Sequence, residues 1–122
     1  MVKILIIDDN EQVLKVMASY LEHENHEITV AADGKQGIDQ LKSQAFDLVI
    51  TDIIMPEQDG LEVLMWLRTQ PKRPKVIAVS GGSPSLDLNY LTSMAKQLSA
   101  DKVLQKPIDF ETLTTAVREL LV

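Results

Sequence analysis

Five short runs of strand character punctuate this 122-residue chain, and a stretch of helical periodicity follows each one. The runs are Val2 to Ile7, Glu27 to Ala31, Leu48 to Ile50, Val76 to Val79 and Lys102 to Gln105. The first is almost continuously aliphatic, as expected of a parallel strand covered on both faces. Between the runs, apolar residues recur at helical spacing: Val13, Val16, Met17, Tyr20 and Leu21; Ile38 and Leu41; Leu61, Leu64, Met65 and Leu67; Leu88, Leu91, Met94, Ala95 and Leu98; and Leu113, Val117, Leu120 and Leu121. Asp9 or Asn10, Asp33 and Asp109 stand where helix caps belong, and Pro71 stops the third helix. This alternation predicts an α/β fold: a parallel five-stranded sheet with right-handed crossovers and helices on both faces.

The chain is large enough for one domain with a sizeable core. Its net charge of −6, with no block of lysine and arginine, argues against direct nucleic-acid binding, which needs clustered cations to neutralise phosphate. The absence of cysteine excludes disulfides, thiolate catalysis and cysteine-ligated metals. The run Ile4-Leu5-Ile6-Ile7 is too short for a signal segment and stops at two aspartates, and no run reaches membrane-spanning length. These features give a cytoplasmic protein without a membrane partner as the expectation.

In an alternating fold every strand's carboxyl end lies on one edge of the sheet, where open α/β sheets place their chemistry. On that edge fall Asp8 and Asp9 after the first strand, Asp52 after the third, Ser80 after the fourth and Lys106 after the fifth. Three converging carboxylates repel one another, and a hard divalent ion such as magnesium relieves the repulsion. Lysine supplies a point charge suited to a phosphoryl group, and serine supplies a donor. Carboxylate nucleophile, metal, ammonium and hydroxyl are the parts needed for phosphoryl transfer onto an aspartate. Alone, each has a plainer reading: Asp9 and Asn10 as helix caps, Lys106 as a solvated charge, Ser80-Gly81-Gly82 as a flexible loop.

Taken in order, the acidic pair Asp8-Asp9, the segment Asp52…Met55-Pro56…Asp59-Gly60, Ser80-Gly81 and Lys106-Pro107 resemble the receiver domains of two-component response regulators, over essentially the whole chain. The resemblance implies a flavodoxin-like, doubly wound (βα)5 sandwich with strand order 2-1-3-4-5. It implies that Asp52 accepts a phosphoryl group from the phosphohistidine of a histidine kinase or phosphotransfer protein. Asp8, Asp9, Asp52 and the main-chain carbonyl of Ile54 are then the Mg2+ ligands. Lys106 pairs with the phosphoryl oxygens, Ser80 moves to hydrogen-bond one of them, and Gly81 leaves room for the group and offers its amide. Pro107 follows a cis peptide that aims Lys106 into the site.

One position departs from the family pattern. Many receivers carry tyrosine or phenylalanine three residues before the lysine, and here that residue is Val103. A branched aliphatic side chain cannot report the switch as an aromatic one does.

The resulting expectation is a stand-alone receiver over residues 1–122 with no output domain, not a turnover enzyme, that sheds its phosphoryl group only slowly. Its signal leaves by protein contact through the fourth predicted helix, the fifth strand and the fifth predicted helix. A relay intermediate or phosphate sink is the alternative, mildly favoured by Val103. A phosphorylation-independent binding module and a flavin-binding electron carrier are weaker readings, since Asp8-Asp9-Asn10 would repel a cofactor phosphate. A metal-dependent phosphatase is disfavoured because its nucleophile usually follows the first strand. His23 and His26 read as surface residues, Trp66 as core or half-buried packing, and the five methionines as core filler.

Overall fold

The first aliphatic run forms β1 (Lys3–Ile7), and the chain then alternates as its periodicity requires: α1 (Glu11–Glu22), β2 (Glu27–Ala31), α2 (Gly34–Ser43), β3 (Leu48–Asp52), α3 (Gly60–Arg68), β4 (Lys75–Ser80), β5 (Lys102–Gln105) and α4 (Phe110–Leu120). This computed structural model describes residues 2–53, 60–81, 93, 96–97 and 100–121. The helix expected through Leu88, Leu91, Met94, Ala95 and Leu98 has its apolar positions outside the described residues, as do Ile54, Met55, Pro56 and Asp59. The strands are parallel and ordered β2-β1-β3-β4-β5. The chain order reverses direction between β1 and β3, and the carboxyl ends of those two strands carry Asp8 and Asp52.

Alternation along the central strands divides the core into two layers. Leu5, Ile7, Val49, Val76 and Ala78 face Ile38 of α2 and Val63, Leu64 and Leu67 of α3. Ile4, Ile6, Leu48, Ile50, Ile77 and Val79 face Leu14, Met17 and Leu21 of α1 and Leu113, Ala116 and Val117 of α4.

The helix starts follow their caps. Asn10 accepts from the amides of Gln12 and Val13, Asp33 from that of Gln36, and Asp109 from that of Thr112. The Asp109 carboxyl is held below its ordinary pKa, first by the backbone hydrogen bond at Thr112.

Helical periodicity misplaced several side chains. Val16 is 43% exposed, whereas Leu14, absent from the expected stripe, is buried. Leu14, Met17 and Leu21 form the i, i+3, i+7 face that meets the sheet, and Val16 falls outside it. On α3, Met65 is 55% exposed and Val63 takes the inward position, so Met65 is not core filler. Trp66 is half-buried as expected. The last helix ends at Leu120, and both Leu120 and Leu121 are only partly buried. His26 is half-buried instead of lying on the surface, because the chain turns back at Asn25 (φ 67°) and ties the His26 amide to the Leu21 carbonyl. Its Nδ1 is buried with no hydrogen-bond partner among the described residues.

Candidate functional site

At the carboxyl edge of the sheet, hydrogen bonding between strands carries the loops a residue further than the strands themselves. The Asp8 amide donates to the Ala31 carbonyl (3.1 Å), that of Ile53 to Val79 (3.0 Å) and that of Lys106 to Ser80 (2.9 Å). These three bonds anchor the backbone at or beside Asp8, Asp52 and Lys106. The Lys106–Pro107 peptide is cis.

Asp8 is fully buried, Asp52 is 4% exposed, and Asp9 is exposed. The three offer carboxylate oxygens that lie within 4.8 Å of one another. The Asn10 amide donates to Oδ1 of Asp8 at 2.8 Å, which fixes that carboxylate while the Asn10 side chain caps α1. Lys106 reaches in from above β5, its Nζ 2.8 Å from Oδ2 of Asp8 and 2.8 Å from Oδ2 of Asp52. The Asp52 contact has the alignment of a hydrogen bond, whereas the Asp8 contact is an ion pair by distance, leaving Oδ2 of Asp8 without a hydrogen bond among the described residues. Burial is the largest influence on the Lys106 ammonium and acts to lower its pKa. The close contacts with Asp52 and Asp8, and the negative charge each carries, outweigh it and hold the ammonium above the ordinary lysine value.

Ser80 ends β4, fully buried, and its Oγ has no hydrogen-bond partner among the described residues. Gly81 lies under the lysine: a Cβ there would sit 3.3 Å from Lys106 Cδ, so the absence of a side chain lets Lys106 cross the loop. Val103 is half-buried and packs on the apolar layer beneath α2 and α3. The structure therefore brings Asp8, Asp9, Asp52 and Lys106 together, with Ser80 and Gly81 on the neighbouring strand end, while Ile54 lies outside the described residues. Oxygen donors alone, two of them on buried aspartates, suit a hard divalent cation such as magnesium.

Thr51 was overlooked in the sequence, and Gly60 was read there only as part of the segment from Asp52. Thr51 is fully buried, and its hydroxyl donates to the Asp52 carbonyl at 3.0 Å. Gly60 packs against the same carbonyl. The available signal for Thr51 was a single polar residue closing the aliphatic run Leu48 to Ile50.

A doubly wound sheet of order 2-1-3-4-5 with a lysine-capped acidic cluster at its carboxyl edge defines a flavodoxin-like domain of the chemotaxis-regulator type. Residues 4–118 match the response regulator receiver domain, and the chain belongs to that family, the phosphorelay receivers of two-component signalling. It is 31% identical over 125 residues to the response regulator ArlR of Staphylococcus saprophyticus, covering 99% of this chain and 53% of that protein. The chain thus spans about half the length of the curated relatives it matches. Among solved structures it resembles a CheY-like receiver domain protein from Methanospirillum hungatei, with a TM-score of 0.88 at 28% identity over 99% of this chain and 94% of that one. It also resembles chemotaxis response regulator CheY4 of Vibrio cholerae, with a TM-score of 0.87 at 25% identity over 98% of each chain.

Proposed function

We propose that this receiver accepts a phosphoryl group on Asp52 from the phosphohistidine of a kinase or phosphotransfer protein, in a magnesium-dependent reaction in the cytoplasm. The observation that carries the reading is the convergence of Asp8, Asp9, Asp52 and the Lys106 ammonium at one sheet edge. An Asp52 carboxylate oxygen attacks phosphorus, the phosphorus–nitrogen bond breaks, and the leaving imidazole nitrogen keeps the electron pair and takes up a proton. Lys106 is placed to exchange its carboxylate contact for a phosphoryl oxygen, and the unpartnered Ser80 hydroxyl is a donor within the same edge. Gly81 leaves the space and an amide. Asp8, Asp9 and Asp52, with the Ile54 carbonyl, would hold the magnesium, which when bound neutralises charge on the incoming group.

The signal leaves by protein contact across β5, α4 and the segment around Leu88 to Leu98. The acidic balance of the chain speaks for protein partners over nucleic acid. With Val103 in place of an aromatic, a relay or sink role is the second reading. No turnover activity is assigned. Ile54 offers no side-chain group to orient an attacking water, so loss of the phosphoryl group is slow.

Intact-mass measurement after incubation with acetyl phosphate tests the reading. One magnesium-dependent phosphoryl adduct is expected on the wild-type chain and none on Asp52→Asn. An adduct that persists in the variant, or that forms equally with a chelator present, would overturn it.

A further inference from the structure

Thr51 is a polar side chain set in an apolar neighbourhood. It is fully buried, and its partners in register on β1 and β4 are Ile7 and Ala78. Its hydroxyl donates to the carbonyl of the next residue, Asp52, at 3.0 Å. The other end of that peptide group is also held, since the Ile53 amide donates to the Val79 carbonyl at 3.0 Å. Independently, the first residue of α3 rests on the same peptide: a Cβ at Gly60 would lie 1.8 Å from the Asp52 carbonyl oxygen and 2.6 Å from its carbon.

The geometry points to Thr51 as a positioning residue for the Asp52 carboxylate, acting through the Asp52–Ile53 peptide, with Gly60 as the backstop that keeps that peptide from tilting. The plane of this peptide sets ψ of Asp52. The direction in which the side chain leaves the strand, and its distance from Asp8 and Lys106, follow from that angle. Reacting groups must be held within about 0.5 Å of a productive geometry, so a small tilt at the carbonyl is felt at the carboxylate. The inference rests on the proposed phosphoryl chemistry for its kinetic consequence and on the acidic cluster alone for its consequence in metal binding.

The alternative is that Thr51 serves only packing. Thr51→Val keeps the volume and removes the hydroxyl, while Thr51→Ser keeps the hydroxyl and removes the methyl group. For each variant the rate of Asp52 adduct formation is measured against acetyl phosphate concentration, Mg2+ affinity is measured by calorimetry, and the thermal midpoint is recorded. Positioning predicts that Thr51→Val lowers the limiting rate about tenfold with the half-saturating donor concentration unchanged. It also weakens Mg2+ several-fold, whereas Thr51→Ser keeps both values near wild type despite a lower thermal midpoint. Rates and affinities that fall in step with stability in both variants, or a Thr51→Val protein with wild-type rate and affinity, overturn the inference. Should the wild-type chain bind Mg2+ but take no phosphoryl group, the proposed reaction fails and the Mg2+ titration alone decides the role of Thr51. A wild-type chain that does neither leaves nothing at Asp52 to position and overturns both.

Discussion

Lys106 touches two carboxylates that are otherwise pressed together out of water. Asp8 is fully buried and Asp52 nearly so, and the ammonium lies 2.8 Å from each. Removing one member of such a group costs more than the contact itself contributes, because the remaining charges stay buried and uncompensated. The lysine side chain is 23% exposed, and solvent screening reduces the cost. Lys106→Met is therefore expected to lose up to about 3 kcal/mol in a metal-free buffer. Added Mg2+ should recover much of that loss by mass action at the same carboxylates. Denaturant melts of both proteins, with Mg2+ and with a chelator, check this, and a variant whose deficit is equal in both buffers would show that the lysine acts through packing. The Ser80 hydroxyl and Gly81 contribute no compensating charge in this state, so Lys106 is the described cation that can balance the pair.

At the scale of the element, the helix caps separate stability from chemistry. Asp33 accepts from the Gln36 amide at 2.8 Å while the Gln36 side chain accepts from the Ala32 amide, a paired arrangement that starts α2 just past the end of β2 without touching the Asp8, Asp52 or Lys106 side chains. Asp33→Ala should cost about 1 kcal/mol of unfolding free energy and leave the rate of Asp52 phosphorylation unchanged. A chemical melt and the mass assay together test that pairing. Element order, strand ends and caps were legible in the sequence because each depends on local chemistry: a capping oxygen, a proline, a run of aliphatic residues. The inward face of α1 was not. Val13, Leu14, Val16 and Met17 are all apolar, and only contact with β1 and its neighbours selects Leu14 and Met17 over Val16. The same holds for Val63 against Met65 on α3. Within the site, charged residues at strand ends announced themselves. The hydroxyl of Thr51 did not, since its acceptor is the backbone carbonyl of the next residue, a partner that residue types do not reveal.

For the whole molecule, pH dependence reaches beyond the site. His26 has its pKa lowered, chiefly by burial, with the Glu24 carboxylate opposing the shift only in part. A base depressed in the folded state contributes stability in full above its unfolded pKa of about 6.5, and that contribution is lost as pH falls through the lower folded value. Stability should therefore decline on acidification below about 6.5, and His26→Gln should flatten that part of the profile, as urea midpoints across the range would show. The lysine works in the opposite window. Its raised pKa keeps its contribution intact throughout neutral pH, to be lost only as alkaline conditions approach its folded value.

Lys106 lies 54 residues after Asp52 and on the far side of β4 from it, yet its ammonium reaches the acidic cluster. On a ribosome the acidic residues emerge first, and at about 5–20 residues per second they wait several seconds for their counter-charge. In that interval any pairing of β1 with β3 would bring the Asp8 and Asp52 carboxylates together without their counter-charge. Cellular magnesium is the ion at hand to bridge them. The metal proposed for the finished receiver would thus also act as a stand-in for a lysine not yet synthesised, and the yield of folded protein from a translation reaction would depend on free Mg2+ beyond what the ribosome itself requires.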